Sequence, residues 1–319
     1  METMAIKISI RIPTLNNYKS LVIALESVFS QDFEDRDIVV VDNNSDDGSW
    51  PITQALPERF PGLRVLQNPQ QGLAENWNFC VKTFAGEYGL IFHTDDIMLP
   101  GMLRETVDFL DEYPTVGFVH TNCTDMTEAG KETLRITQEK PILKKGDEAL
   151  TKIALDCNIA CSTVVVRKEC YEKLGVFIAG NPSPDAEMWA RIVTKYDMGH
   201  ISEPLVKVVS HIDSYGRAAL SKLPPAVILK QWEDLGNKII SYFSTEQQAI
   251  LSEKSKISGF NALSAAAYLA WCQQRWIRGH QFMMLAIKYS SFFDWILVYG
   301  KNLLRSIKYV ISHKILGVK

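Results

Sequence analysis

The chain is short of the features that mark several large protein classes. Its 319 residues include six cysteines (Cys80, Cys123, Cys157, Cys161, Cys170 and Cys272), with no C-x-x-C pair and no paired histidines at zinc-finger spacing. A disulfide framework and a structural zinc module are thereby excluded, and the thiols read as reduced core residues of a cytosolic protein. An excess of one charge is also missing: 34 Lys and Arg stand against 37 Asp and Glu, for a net charge of −3. Such a chain carries no electrostatic footprint for nucleic acid. No stretch reaches the roughly 18 apolar residues that a membrane span needs, since residues 257–272 carry Ser258, Asn261 and Ser264. The opening METMAIKISIRIPT has no long apolar region, because Lys7 and Arg11 interrupt it, and it reads as a strand rather than a signal peptide. There is no internal repeat and no low-complexity tract. What the chain does have is 46% hydrophobic residues, enough to bury a core in one or two domains.

Ile6, Ile8, Ile10 and Ile12 alternate with other residues, Pro13-Thr14-Leu15-Asn16-Asn17 breaks the pattern, and Leu21, Leu25, Val28 and Phe29 recur at helical spacing. The sequence Asp37-Ile38-Val39-Val40-Val41-Asp42 is the β-branched run of a strand buried on both faces, closed by the turn-rich segment Asn43 to Ser49. Further strands are expected at 63–66, 88–92, 116–120 and 162–166, with helices at 74–84 and 102–112 and a polar excursion over 124–146. From about Pro224 the pattern is helical. Strands alternating with helices imply parallel βαβ units, whose ligands bind outside the carboxyl ends of the strands. Thr14, Asp42/Asn43 and Asp95/Asp96 fall there.

A strand that ends in paired carboxylates can hold a divalent cation, because Mg²⁺ and Mn²⁺ take oxygen ligands and share them with substrate phosphates. Asp95-Asp96 fits that description. It fits equally a turn that caps the helix after Pro100. Asp185 follows Asn181-Pro182-Ser183-Pro184 and precedes a helical pattern, so it suits either an N-cap or a reactive carboxylate at a helix start. His211, near the end of a strand, suits either a structural role or a ligand.

The order of these segments resembles glycosyltransferase family 2, with its GT-A fold. The resemblance rests on Ile12-Pro13-Thr14-Leu15-Asn16-Asn17, on Ala24 to Gln31, on Val39-Val40-Val41-Asp42-Asn43-Asn44-Ser45-Asp46-Asp47-Gly48-Ser49, and on Thr94-Asp95-Asp96-Ile97-Met98-Leu99-Pro100. It resumes at Ser162 to Arg167, Leu174-Gly175-Val176-Phe177 and Asp185-Ala186-Glu187-Met188-Trp189-Ala190-Arg191, covering about residues 6 to 215. It implies an α/β fold of GT-A type, a doubly wound mixed sheet flanked by helices and followed by a helical C-terminal region. The expected divisions are a nucleotide-sugar-binding half at 1–115, an acceptor-binding and catalytic half at 116–220, and the helical region at 221–319.

The resemblance further implies an inverting, metal-dependent transfer of a sugar from a nucleotide-diphosphate donor, with UDP- or dTDP-sugars favoured, to an acceptor hydroxyl on a glycan or lipid-linked acceptor. Thr14, Asp42, Asn43 and Asp95 would hold the nucleotide sugar, and Asp96 with His211 the Mn²⁺ or Mg²⁺. Asp185 would be the general base, with Glu187 as its alternative. Relatives often have a second aspartate where this chain has Asn43. A catalytically degenerate binding or assembly module is the competing function, though Asp96 and Asp185 are both retained. A sugar-phosphate nucleotidylyltransferase would need a glycine-rich loop after the first strand, which Pro13-Thr14-Leu15-Asn16-Asn17 is not.

Charge is unevenly spread. From Arg275 to Lys319 eight basic residues face one acid, so this segment is +7 and the remainder −10. Aromatic and aliphatic residues interleave with the cations at helical spacing, as in helices that lie on anionic membranes. A solvated helix or a homo-oligomer interface is the alternative. The expected location is therefore cytoplasmic and peripheral to the inner face of a membrane.

Overall fold

The computed structural model describes residues 6–127, 129–210, 223–249, 251–252, 264, 267, 270–271, 275–286, 295 and 298–307. The chain forms two compact units, Met1–His211 and Ile212–Lys319.

The first unit runs β1 (Ile8–Thr14), α1 (Tyr18–Phe29), β2 (Arg36–Asp42), α2 (Ser49–Gln54), α3 (Leu56–Arg59), β3 (Arg64–Gln67), α4 (Leu73–Lys82), β4 (Tyr88–Ile91), β5 (Ile97–Met98) and α5 (Met102–Glu112). It continues with β6 (Val116–Thr127), β7 (Glu132–Arg135), β8 (Ile142–Leu143), α6 (Asp147–Asp156), β9 (Val164–Arg167), α7 (Lys168–Leu174), α8 (Pro184–Val193) and β10 (Asp197–Ser210). The sheet order is β3-β2-β1-β4-β9-β6-β10-β5, with β7 added to β6 and β8 to β10. β1 pairs in parallel with both β2 and β4, whereas β9 is antiparallel to its neighbours β4 and β6. This is the expected mixed sheet with flanking helices. Within the polar excursion, β6 extends to Thr127 and pairs with β7 in a hairpin supported by the Arg135–Asp125 ion pair, and β8 forms against β10.

β1 is central, so both of its faces are buried. Ile8, Ile10 and Ile12 enter a core with Leu21, Leu25, Val28, Val40 and Leu90. Arg11 lies on the other face, fully buried, with its guanidinium 2.6 Å from Asp37 Oδ2 and donating to Thr83 Oγ1 at 2.8 Å. A charge in that position is tolerated because its donors have acceptors on three elements. The described cysteines are free thiols, and burial pushes Cys80 and Cys170 up to about 12. They are packing residues; Cys272 lies outside the described residues.

In the second unit, α9 (Pro225–Ile240) and α10 (Trp276–Ala286) pack around Ile228, Ala267, Trp271, Phe282 and Met283. The helical C-terminal region expected from the sequence is present. Among the described residues no helix is long and apolar enough to cross a membrane.

Candidate active site

The parallel register of β1 and β2 sets Thr14 beside Asp42, and the Asn43 N–H donates to the Thr14 carbonyl at 2.8 Å. On the other side of β1, the Phe92 N–H donates to the Arg11 carbonyl at 2.8 Å, which brings the turn from His93 to Asp96 to the same edge. The parallel pairing of β1 with β2 and β4 runs these strands in one direction, so residues far apart in sequence meet at the carboxyl ends. Thr14, Asp42, Asn43, Asp95 and Asp96 are thus brought together, as the sequence predicts.

Asp42 is fully buried. Its Oδ1 accepts from the Ser45 N–H at 2.9 Å and from Gln67 Nε2 at 3.3 Å, and its Oδ2 from Ser45 Oγ at 2.5 Å. The carboxylate therefore shapes the loop that follows it. Asn43 donates to the Gly72 carbonyl and Asn76 to the Val41 carbonyl, both at 3.3 Å, while the Oδ1 atoms of both residues are buried without a protein partner. Orphaned acceptors in a native interior require an explanation, and here they flank the end of β2. Asn78, by contrast, is engaged with the backbone of Phe177.

Two loop asparagines that sequence reasoning passed over hold the edge together. Asn16 takes a left-handed conformation (φ 53°), accepts from the Asp46 N–H at 2.9 Å and donates to Asp46 Oδ1 at 2.8 Å; Asn17 donates to Asp95 Oδ1. The clue available in the sequence was the Asn-Asn pair at the end of a strand, since asparagine tolerates positive φ.

Asp96 is 4% exposed and accepts the Val209 N–H of β10 at 3.0 Å. Burial pushes its carboxyl above the usual range and Asp95 adds to the shift, against the opposing pull of His93, Ser162 and the Val209 N–H. A buried carboxylate that resists ionisation suits a place where a cation would keep it charged. Among the described residues no three His, Cys, Asp or Glu side chains gather into a metal cage. A Mg²⁺ or Mn²⁺ ion held here would take Asp96 and complete its shell with donor oxygens, which is how Mg²⁺ is commonly bound. His211, expected to share that role, lies outside the described residues.

Asp185 sits in the first turn of α8. Ser183 is the N-cap residue, Pro184 opens the helix, and Ser183 Oγ donates to Asp185 Oδ1 at 2.6 Å. Asp185 is therefore not the cap, and its half-buried carboxylate gains from the positive end of the helix dipole. The buried Cys161 thiol is pushed well above its ordinary value by desolvation, with Asp185 and then Asp96 adding to the effect. Both carboxylates thus lie within electrostatic reach of one sulfur. Glu187 is fully buried, and both of its oxygens are bound by Arg191, at 3.1 and 2.9 Å.

Comparison with known proteins gives a consistent result. The model of the family described as "Glycosyl transferase family 2" matches residues 9–175. EpsE of Bacillus subtilis (strain 168), a glycosyltransferase by assignment, is 24% identical over 224 residues, which cover 67% of this chain and 77% of EpsE. The GalNAc(5)-diNAcBac-PP-undecaprenol beta-1,3-glucosyltransferase of Campylobacter jejuni is 31% identical over 121 residues, which span 37% of this chain and only 38% of that enzyme. Among solved structures, S. aureus TarS 1–349 in complex with UDP-GlcNAc superposes with a TM-score of 0.65 at 16% identity, covering 98% of this chain and 92% of TarS 1–349. The mannosyltransferase PcManGT from Pyrobaculum calidifontis, in complex with GDP-Man and Mn²⁺, gives a TM-score of 0.56 at 16% identity, covering 98% and 88%. At such identities the structural likeness speaks for the fold.

Proposed function

Since the chain belongs to glycosyltransferase family 2, with a GT-A fold, we propose that it is an inverting transferase that moves a sugar from a nucleotide-diphosphate donor to an acceptor hydroxyl. The observation that carries this reading is the convergence of Asp42, Asn43, Asp95 and Asp96 on one sheet edge, at the carboxyl ends of β1, β2 and β4. Thr14, Asp42, Asn43 and Asp95 would bind the nucleotide and its ribose through side-chain oxygens that accept from N–H and hydroxyl donors. The favoured donors are UDP- and dTDP-sugars; UDP-GlcNAc and GDP-Man are the ligands of the structural neighbours. Asp96, with His211, would hold Mn²⁺ or Mg²⁺, which when bound neutralises charge on the departing diphosphate.

Asp185 acts as general base. Its carboxylate takes the proton of the acceptor hydroxyl as that oxygen bonds the anomeric carbon, and the bond from that carbon to the diphosphate oxygen breaks on the opposite face. Configuration inverts. Asp185 is preferred to Glu187 because both oxygens of Glu187 are committed to Arg191. The acceptor is a glycan or a lipid-linked glycan, in keeping with the undecaprenol-linked chemistry named for the Campylobacter relative. The cytoplasmic face of a membrane is the proposed location.

The test is calorimetric titration with UDP, dTDP and GDP, with and without Mn²⁺, on the native protein and Asp96→Ala. Metal-dependent binding of one nucleotide, lost in the variant, is the expected outcome. Binding of none of the three would replace the transferase by a degenerate module.

A further inference from the structure

The segment that joins α7 to α8 is held from two sides. From α8, the Arg191 guanidinium donates to the Leu174 carbonyl at 2.7 Å and to the Val176 carbonyl at 2.8 Å, while Glu187 fixes the same guanidinium through both of its oxygens. Gly175 sits between those two carbonyls at φ 87°, a conformation that favours glycine, and a Cβ there would crowd Arg191 Nη1 at 3.2 Å. From α4, Asn78 makes a two-way bond with the backbone of Phe177: Nδ2 donates to its carbonyl and Oδ1 accepts from its N–H, both at 2.9 Å.

The Phe177 ring continues the connection. It meets Trp77 edge-on at 5.2 Å and Trp189 at 6.4 Å, and Trp77 stacks on His93 at 5.4 Å. An unbroken series of contacts therefore runs from His93, three residues before Asp96, through α4 and residues 174–177 to α8, whose first turn carries Asp185. Arg191 and Asn78 do not belong to the donor edge, and neither is bonded to Asp185 or Asp96.

We infer that Arg191 and Asn78 are positioning residues, which clamp residues 174–177 between α4 and α8 and so hold Asp185 at its working distance from Asp96. The inference rests on the reading of Asp185 as the base. A base misplaced by an ångström costs rate without costing donor affinity. The clamp therefore acts on kcat.

The variants are Asn78→Ala, Arg191→Met and Arg191→Lys, in the full-length protein. Nucleoside diphosphate release from the UDP- or dTDP-sugar is followed as slow donor hydrolysis, beside UDP or dTDP affinity by calorimetry and amide hydrogen exchange over 174–177 and 184–188. Asn78→Ala and Arg191→Met are expected to lower kcat by about tenfold or more, with donor KM and nucleotide affinity within about twofold of native. Exchange should rise over 184–188 even in Asn78→Ala, although the hydrogen bonds of Asn78 go to Phe177 and not to α8, and Arg191→Lys should recover part of the rate. The inference is overturned if Asn78→Ala leaves exchange over 184–188 unchanged, or if kcat, donor affinity and melting temperature fall together as in a general loss of structure. If the native protein binds no nucleotide, the transferase reading fails separately, and the exchange measurement still decides whether the clamp exists.

Discussion

His120 and His200 sit opposite each other on β6 and β10, with ring centroids 4.9 Å apart and both side chains almost wholly buried. His200 Nε2 pairs with Asn122 Oδ1 at 3.1 Å and His120 Nδ1 with Thr137 Oγ1 at 3.4 Å, while His120 Nε2 has no partner. Desolvation lowers His120 from 6.5 to about 3, helped by His200 and by Lys152 of α6; burial lowers His200 too, against a weaker opposing pull from Glu203. A histidine depressed in the folded state contributes stability that is complete above its unfolded pKa and is lost as pH falls towards the folded value. Unfolding free energy should therefore decline below about pH 6.5, His120 contributing a slope that approaches about 1.4 kcal/mol per pH unit. Thermal melts between about pH 6.5 and about pH 5, a window that largely precedes carboxylate titration, test this. His120→Phe should reduce the slope, and an unchanged slope would remove His120 from the stability balance. Neither histidine drew notice in the sequence, because only the pairing of two distant strands shows that they touch.

At the scale of the element, helices and strands were largely legible. The expected helix at 102–112 is α5, and the β-branched run ending at Asp42 is β2. Periodicity failed where local chemistry overrode it. Residues 162 and 163, expected to open a strand, belong to a 3₁₀ turn over Cys161–Thr163, with the Thr163 N–H donating to the Ala160 carbonyl, and the strand starts at Val164. β5 is two residues long and exists only because β10 pairs with it, so no window of sequence could reveal it. Packing between elements is likewise a tertiary matter. Gly89 in β4 lies so close to Phe84 that a Cβ would sit 2.3 Å from its ring. Gly89→Ala is expected to destabilise by about 1–3 kcal/mol through overpacking, read as a lower urea midpoint at unchanged m-value. A change within about 0.5 kcal/mol would mean that the ring moves freely.

At the scale of the whole molecule, the charge asymmetry now has an address. In the second unit Ile277, Met284, Trp232 and Leu304 are exposed, the first by 78%, and Ile277 and Met284 line an apolar groove of about 580 Å³ with Pro224, Pro225 and Ala226. Lys301, Leu304 and Arg305 lie exposed along one helix. Of the other apolar residues of the basic tail, Trp295, Val298, Tyr299 and Leu303 pack against the core of this unit and Ile307 is exposed, while Phe292, Phe293, Ile296, Leu297, Val310 and Ile311 lie outside the described residues. On the proposed membrane reading, the native protein should sediment with vesicles containing phosphatidylglycerol and not with phosphatidylcholine alone, and release as salt rises. Ile277→Glu with Met284→Glu should weaken that binding. Sedimentation indifferent to lipid charge would remove the membrane from the proposed function.

The sequence by itself determined the class of fold, the strand ends where polar residues collect, and the acidic pair at 95–96, because periodicity and turn chemistry are local properties written into consecutive residues. Tertiary structure alone decided which of those residues meet and how they differ. It seated Asp96 under Val209, joined Asn78 to the backbone of Phe177 and set His120 against His200. Burial and hydrogen-bond partnership depend on chain segments more than a hundred residues apart, as with Asp96 and Val209, and that information exists only once the sheet has closed.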